Sequence, residues 1–205
     1  MEFLSEADKE RIVAAIHAAE SETSGQLVTV LARASDDYLH FPLLWASFLA
    51  LLLPGVVLLA RPAIHLVHLF ELQILVFISL VFFLHWLPIK MLLVPTKVKR
   101  AYAQRLARAQ FFTQGLHLTH AHTGVLLFVS VAERYVEIIA DAGIHAHMQD
   151  GEWDAIISQF VRYVKSGQVA DGFVDALMAC GEKLAQHFPH QTDGKNELPD
   201  RLIEL

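Results

Sequence analysis

The sequence contains a single cysteine, Cys180, among its 205 residues. One cysteine cannot form an intrachain disulfide, and it excludes a metal cluster held by several thiolates. Positive charge is also scarce, because 16 Lys and Arg stand against 22 Asp and Glu, for a net charge of -6. Nucleic-acid-binding proteins are usually basic. We therefore expect no nucleic-acid partner and no disulfide framework.

Familiar catalytic and targeting motifs are missing as well. The sequence has no G-x-S-x-G nucleophile elbow and no G-x-x-x-x-G-K-[ST] phosphate loop. Its first residues, MEFLSEADKER, are acidic and polar, and they lack the basic and apolar regions of a signal peptide. We therefore expect neither a cleaved leader nor a recognisable nucleophile. The leading expectation is a protein that is not an enzyme.

Two long apolar stretches stand out from this background. Residues 41–60 hold no charged residue, and residues 69–89 are interrupted only by Glu71, Gln73 and His85. A helix needs about 20 apolar residues to cross a hydrocarbon layer roughly 30 Å thick. A pair of buried core helices is the alternative, but a remainder of about 150 residues is too small to cover both. We predict a transmembrane helical hairpin over residues 41–94.

Basic residues predict the orientation of this hairpin. The connection at 61–68 carries Arg61 and two histidines. After the second span come Lys90, Lys97, Lys99, Arg100, Arg105 and Arg108, with no acid between Lys90 and Arg108. Cytoplasmic flanks carry the excess of Lys and Arg. The pattern predicts a two-pass protein in the lipid bilayer, with both termini and the soluble domain in the cytoplasm.

The polar residues on either side of the hairpin predict one α/β domain in two parts, 1–35 and 97–188. Ser5 and Asp8 resemble a capping box, and the helix that they open should stop near Ser24 and Gly25, where glycine suits a left-handed residue. Further elements are expected at 26–34 (strand), 97–114 (helix), 123–130 and 134–140 (antiparallel strands), 151–166 (helix) and 169–187 (helix, with Cys180 inward). Residues 189–205 read as a polar, loosely held tail.

The helix predicted at 97–114 has two distinct faces. Its apolar face consists of Val98, Tyr102, Leu106 and Ala109. Its basic face consists of Lys97, Arg100, Arg105 and Arg108. A basic face next to a membrane span can hold anionic lipid headgroups. It can also be a solvated face that only sets the topology, and the two interpretations are compatible.

Histidines flank the predicted antiparallel strands. If the turn centres on Ala132 and Glu133, facing positions sum to about 265, which places His120 across from His145 and His122 across from Gly143. His120, His122, His145 and Asp141 would then gather at one end of the sheet, and imidazole with carboxylate suits zinc or another transition metal. The alternative is that these are ordinary solvated loop histidines.

The carboxylates allow two interpretations each. Asp141 is a candidate cation ligand or an acid in hydrolysis, and it is also typical of a strand-ending turn. Glu133 and Arg134 could form an active pair, although an exposed charged turn is the commoner meaning of such a sequence. Glu20 and Glu22, near a helix end, are expected to be solvated.

Several segments of the chain together resemble the TPM-domain family, named for thylakoid lumen, photosystem-repair and acetylcholine-receptor-accessory members. The resemblance covers about residues 5–35 and 97–187. It is carried by Glu20 to Gln26 (ESETSGQ), Thr123 to Ser130 (TGVLLFVS), Glu133-Arg134, Val136 to Ile144 (VEIIADAGI) and the helix that Trp153 opens. The ending Glu197 to Arg201 (ELPDR) is similar to a bacterial subgroup with the same membrane insert.

The resemblance implies a fold and a range of functions. The fold would be a mixed β-sheet sandwiched by helices. Family members assist the assembly or repair of membrane proteins, some have been assigned acid phosphatase activity, and some bind divalent cations through acids near one end of the sheet. Asp141 matches the Asp-x-Gly segment of the family, whereas Gln26 replaces a glutamate that many members carry.

We therefore expect an accessory protein of the bacterial inner membrane that binds a membrane protein or complex and assists its assembly, repair or regulation. One alternative is a divalent-cation-dependent phosphatase that uses Asp141. Another is a metal-binding module built on the histidine cluster. The cation would be Ca²⁺ or Zn²⁺, and no organic cofactor is expected.

Overall fold

The computed structural model describes residues 4–119, 121–147, 151–190, 198–199 and 201–205. The chain divides into two units. One unit combines Met1–Ser35 with Ala101–Leu205, and the other is Asp36–Arg100. The first unit therefore draws on both sides of the segment predicted to enter the membrane.

Helix α1 (Glu6–Ser21) opens with the predicted capping box. The Asp8 backbone N–H donates to Ser5 Oγ at 3.2 Å, and the Ser5 backbone N–H donates to Asp8 Oδ2 at 3.1 Å. The two bonds satisfy amide groups that the start of a helix leaves without intrahelical partners. Ile12, Ile16 and Ala19 are buried on the face that turns to the sheet.

The end of α1 differs from the prediction. The helix stops at Ser21, with Glu22 as its C-cap, and Gly25 is not among the described glycines with a positive φ. A Cβ atom at Gly25 would lie 3.0 Å from Leu184 Cδ1. Glycine is therefore used here for close passage of the chain past a neighbouring helix rather than for a left-handed turn.

The strands of the described residues form one mixed sheet in the order β3-β2-β1-β4. Strand β1 (Gln26–Ala32) runs parallel to β2 (Gly124–Ser130), with Gln26 facing Gly124 and Ala32 facing Ser130. Strand β3 (Tyr135–Ala140) returns antiparallel to β2. Every residue of β1 and β2 is buried, as expected for central strands covered on both faces.

Sequence analysis missed the fourth strand, β4 (Leu202–Glu204), because it assigned residues 189–205 to a loose tail. Strand β4 pairs in parallel with Thr29, Val30 and Leu31 of β1. A three-residue strand is too short for its alternation to be recognised, and its partner lies more than 170 residues earlier in the chain. Its pairing satisfies backbone groups on the open side of β1.

One face of the sheet is covered by α1, α7 (Glu152–Lys165) and α8 (Val169–His187). Phe160 of α7 meets Phe173 of α8 edge-on, with ring centroids 5.0 Å apart, in the centre of this core. The bounds of α8 coincide with the prediction, and Cys180 is fully buried among its inward residues. Glycines with positive φ, Gly151 and Gly167, precede and follow α7, as the sequence indicated.

The other face of the sheet is covered by α5 (Thr96–Thr113). Its buried residues are Ala103, Ala107 and Phe111, whereas Ala109 is exposed. The buried face of α5 is therefore rotated about the helix axis from the face that the sequence predicted. Small alanines allow the helix backbone to lie close to β1 and β2, so burial follows side-chain size as well as hydrophobicity.

The second unit contains α2 (His40–Ala60), α3 (Leu66–Leu84) and the short α4 (Leu87–Leu93). Helices α2 and α3 are each long and apolar enough to cross a membrane. Only 11% and 6% of their most apolar windows are buried. Leu59 is 87% exposed and Phe82 86% exposed. The buried residues of α2 include the small Ala46 and Ala50, one turn apart.

Candidate functional site

The β2–β3 hairpin positions the residues that the sequence singled out. Val125 faces Ala140 and Ser130 faces Tyr135, so the predicted register of the hairpin is confirmed. The turn comprises residues 131–134, and Arg134 there has a positive φ of 52°. Because the register is as predicted, residues just before β2 and just after β3 are brought to the same end of the sheet.

His122 and Asp141 lie in direct contact at this end. His122 Nδ1 is 3.0 Å from Asp141 Oδ2, and the Asp141 side chain is 13% exposed while that of His122 is 62% exposed. The other carboxylate oxygen of Asp141, Oδ1, accepts a bond from the Ala142 backbone N–H at 2.8 Å, as the N-cap of α6 (Ala142–His145). The carboxylate therefore joins the end of β3 to the loop before β2 and starts a helix.

The absence of a side chain at Gly143 allows α6 to approach the loop that carries His122. A Cβ atom at Gly143 would lie 2.6 Å from the backbone oxygen of His122 and 2.7 Å from that of Ala121. Both distances are below any ordinary contact, so α6 can rest against the His122 loop only with glycine here. His122 itself has a positive φ of 53°. The predicted proximity of His122 and Gly143 is thus found in the structure.

The other residues of the predicted metal site are placed differently. His145 is the last residue of α6, its side chain is exposed, and its backbone N–H donates to the Asp141 backbone oxygen at 3.0 Å. His120 lies outside the described residues. Within the part of the chain that the structure describes, no three His, Cys, Asp or Glu side chains are gathered as metal ligands would be.

A second polar cluster lies at the opposite end of the sheet, where β1 and β2 finish. Glu133 Oε1 accepts a bond from the Ser35 backbone N–H at 3.0 Å, and the Ser130 hydroxyl donates to Glu133 Oε2. The hydroxyls of Ser35 and Ser130 are 3.0 Å apart, and Ser130 is 1% exposed. Glu133 therefore binds the segment after β1 to the hairpin, which is more than the exposed charged turn that the sequence predicted.

Sequence reasoning missed this cluster because Ser35 and Glu133 are 98 positions apart. Serine before a charged pair of residues is common in turns, so neither residue carries a distinctive local signal. Parallel strands bring their carboxyl ends to one edge of the sheet, which is the usual place for ligands in open α/β sheets. The proximity of Ser35 and Glu133 could be predicted only from the pairing of β1 with β2.

Two residues near the start of β1 have structural partners. Glu20, expected to be solvated, is 8% exposed, and its Oε1 accepts the Leu27 backbone N–H at 2.6 Å. Gln26, which stands where the resemblance implies glutamate, accepts the Leu198 backbone N–H on Oε1 at 3.0 Å. Glu20 thus satisfies a backbone N–H of β1 that the short β4 does not reach, and Gln26 holds a residue that precedes β4 in the chain.

The basic face predicted on α5 is exposed. Lys97, Arg100, Arg105 and Arg108 all reach solvent. The Arg105 guanidinium lies 6.0 Å from the ring centroid of Tyr102, a weak cation–π arrangement. None of the four makes an ion pair with a described acidic residue. Their positive charge is therefore available to an external anion.

Cys180 has the properties of a core residue. Burial raises the pKa of its thiol to about 12, from an ordinary value of 9.0. The thiolate is the reactive form of cysteine, so a thiol with this pKa is inert at neutral pH. The expectation that Cys180 packs in the core is confirmed.

The strands and helices described above define an α/β domain with a mixed sheet and an inserted helical segment. A family model for the TPM domain matches residues 88–183. The solution structure of the BA42 protein from the psychrophilic bacterium Bizionia argentinensis is similar to this chain, with a TM-score of 0.63 and 22% identity. That alignment covers 100% of this chain and 97% of BA42. No curated protein sequence matches the chain.

Residues 88–183 thus match the TPM domain, and the likeness to BA42 shows the fold of the chain. The match to the family model begins after the two apolar helices and covers α5, β2, β3, all of α7 and most of α8. Helix α1 and strand β1 lie outside the matched residues. They nevertheless complete the same sheet and the same core, because β1 is the central strand between β2 and β4.

Proposed function

We propose that this chain is a membrane-anchored accessory protein, whose TPM domain binds a membrane protein or complex and assists its assembly, repair or regulation. The domain acts by binding, not by catalysis. The spans α2 and α3 hold it in the inner membrane of a bacterium, with the domain and both termini in the cytoplasm. The observation that carries the proposal is the pairing of β1 with β2 on either side of these two apolar helices.

This pairing constrains how the chain can meet a bilayer. Gln26–Ala32 and Gly124–Ser130 are neighbours in one sheet, although the apolar helices lie between them in the sequence. The chain must therefore leave the domain and return to it on the same side. Two crossings satisfy that requirement, whereas a single crossing would separate β1 from β2. A helical hairpin is the smallest membrane insert compatible with the sheet.

The exposure of the two helices supports the same interpretation. A helix that is apolar all round is found either in the core of a protein or in a membrane. The apolar windows of α2 and α3 are only 11% and 6% buried, so they do not form a protein core.

The orientation is proposed from charge. Lys97, Arg100, Arg105 and Arg108 lie on α5, which begins 12 residues after α3 ends. Lys and Arg near a span favour the cytoplasmic side, and each contributes about 1 kcal/mol of attraction to an anionic leaflet. Because these four make no ion pair with a described acid, we propose that they contact anionic lipid headgroups.

A binding role is favoured over hydrolysis by the state of Asp141. Both of its carboxylate oxygens are engaged, one by the Ala142 backbone N–H and the other by His122. A carboxylate that caps a helix and fixes a loop has a positional task, and Ser130 and Glu133 are likewise bonded to one another. The thiol of Cys180 is buried.

The proposal is tested by purification from membranes in mild detergent. The tagged chain is compared with Phe173→Asp, which places a charge in the buried core of the domain and leaves the spans unchanged. We expect one partner at fixed stoichiometry with the wild type and its loss with the variant, while both remain in the membrane fraction. Recovery of the wild type as a monomer, or the same partner with both chains, would contradict the proposal.

The second candidate function is divalent-cation binding at the His122 end of the sheet, and the His122–Asp141 contact favours it. A carboxylate on Nδ1 orients an imidazole and leaves Nε2 free for a metal. His145 on α6 is the other described histidine of the predicted set, and imidazole suits Zn²⁺. Saturable zinc binding that falls with His122→Ala plus His145→Ala would support this function, and binding unchanged in that variant would reject it.

A further inference from the structure

Two histidines, one after α6 and one at the end of α8, lie side by side. His147 follows α6, and His187 is the last residue of α8. Their ring centroids are 6.2 Å apart, with an angle of 43° between the ring planes. Both side chains are exposed, so an ion in water can reach them. This pair is separate from the His122–Asp141 contact and does not depend on the function proposed above.

A hydrogen bond fixes the tautomer of His147. Its Nδ1 lies 3.0 Å from the backbone oxygen of Gly143. A carbonyl oxygen only accepts, so Nδ1 must carry the proton of this bond. In the neutral ring, Nε2 then presents a lone pair, which is the form of histidine that coordinates metals.

Contacts of Phe188 restrain the positions of both histidines. The Phe188 ring packs edge-on against His147, with ring centroids 5.3 Å apart. Phe188 donates its backbone N–H to Leu184 at 2.7 Å, and its backbone oxygen accepts the Thr23 hydroxyl at 2.6 Å. His187, the last residue of α8, is therefore held in place by the hydrogen bonds of the residue that follows it. Side chains supported in this way lose little freedom when they bind a ligand.

We infer that His147 and His187 bind one transition-metal ion, with Zn²⁺ as the natural occupant. Zinc binds imidazole nitrogen at about 2.0–2.1 Å, so two rings sharing one ion have centres roughly 5–6 Å apart. The observed 6.2 Å is within reach of small side-chain rotations. No third His, Cys, Asp or Glu ligand joins them among the described residues, so the remaining positions are taken by water or by a ligand from outside.

The test is calorimetric titration of the full chain in detergent with ZnCl₂ at neutral pH. His147→Ala and His187→Ala each remove one proposed ligand, and His187→Gln repeats the change with a polar side chain. His190→Ala is the matched control, because it removes an exposed histidine from the same region. His122→Ala separates this site from the second candidate function. Protection of Cys180 from labelling checks that each variant keeps its fold.

We expect a saturable phase that weakens about tenfold or more in each His147 and His187 variant. It should be unchanged in His190→Ala and in His122→Ala. The inference is overturned if the wild type shows no saturable phase, if the phase persists in the His147 and His187 variants, or if His190→Ala weakens it equally.

Discussion

The carboxylate of Glu20 accepts the backbone N–H of Leu27 at 2.6 Å, inside the core between α1 and β1. In β1, the Leu27 N–H points towards β4, but β4 begins to pair only at Thr29. Glu20 thus takes the place of a strand partner at this position. A buried N–H without a partner is energetically costly. This explains why Glu20 is buried, although its place near the end of α1 predicted a solvated side chain.

Replacing Glu20 with alanine should therefore destabilise the domain. We expect Glu20→Ala to lower the free energy of unfolding by about 1–3 kcal/mol, the usual penalty for a buried donor left unsatisfied. Glu20→Gln is the matched control, because its amide oxygen can still accept the bond, and it should lose less. Labelling of Cys180 in increasing denaturant measures both. Equal losses in the two variants would argue against the hydrogen bond as the cause.

Substitution of Thr29 should stabilise the domain, in contrast to substitution of Glu20. Its hydroxyl is fully buried in β1 and has no hydrogen-bond partner. Thr29→Val keeps the shape and removes the hydroxyl, so we expect it to raise the free energy of unfolding by about 1 kcal/mol.

Thr123→Val is the comparison for that prediction. Thr123 is 2% exposed, and its hydroxyl donates to the Ser24 backbone oxygen at 3.2 Å. The same substitution should therefore destabilise the domain here, by about 1 kcal/mol. If both valine variants shift stability in the same direction, hydroxyl pairing does not explain the difference between the two sites.

Gly143 should not tolerate a side chain. A Cβ atom there would lie 2.6 Å from the His122 backbone oxygen, and backbone cannot move as a flexible side chain can. We expect Gly143→Ala to lower the free energy of unfolding by about 1–3 kcal/mol. Gly25→Ala meets the Leu184 side chain at 3.0 Å and should lose less. Denaturant titration of both variants measures this order, which a larger loss at Gly25 would contradict.

Cys180 should make the stability of the domain fall at alkaline pH. Burial raises the pKa of the folded thiol to about 12 from 9.0, so above pH 9 the unfolded chain releases a proton that the folded chain retains. Stability is therefore fully present below about pH 9 and declines as the pH rises towards 12. Unfolding titrations of wild type and Cys180→Ala across this range test the point. The alkaline decline specific to Cys180 should be missing from the variant.

Local patterns predicted much of this molecule. The β2–β3 register followed from a short turn, and the bounds of α8 followed from a steady helical period after Gly167. Contacts between distant segments did not. Strand β4, the Ser35–Glu133 bond and the pairing of His147 with His187 all join elements far apart in the sequence. Gly25 was assigned the wrong role because close passage past Leu184 leaves no local signal.

We propose that one α/β domain is interrupted by two membrane spans and reassembles on one side of the bilayer. Single cysteines at Ser21, Ala63 and Glu182, all exposed, can be introduced in a Cys180→Ala background and treated with a membrane-impermeant maleimide in intact cells. We predict that Ala63→Cys reacts in intact cells, whereas Ser21→Cys and Glu182→Cys react only after lysis. Different protection of Ser21→Cys and Glu182→Cys, or recovery of the chain in the soluble fraction, would contradict the account.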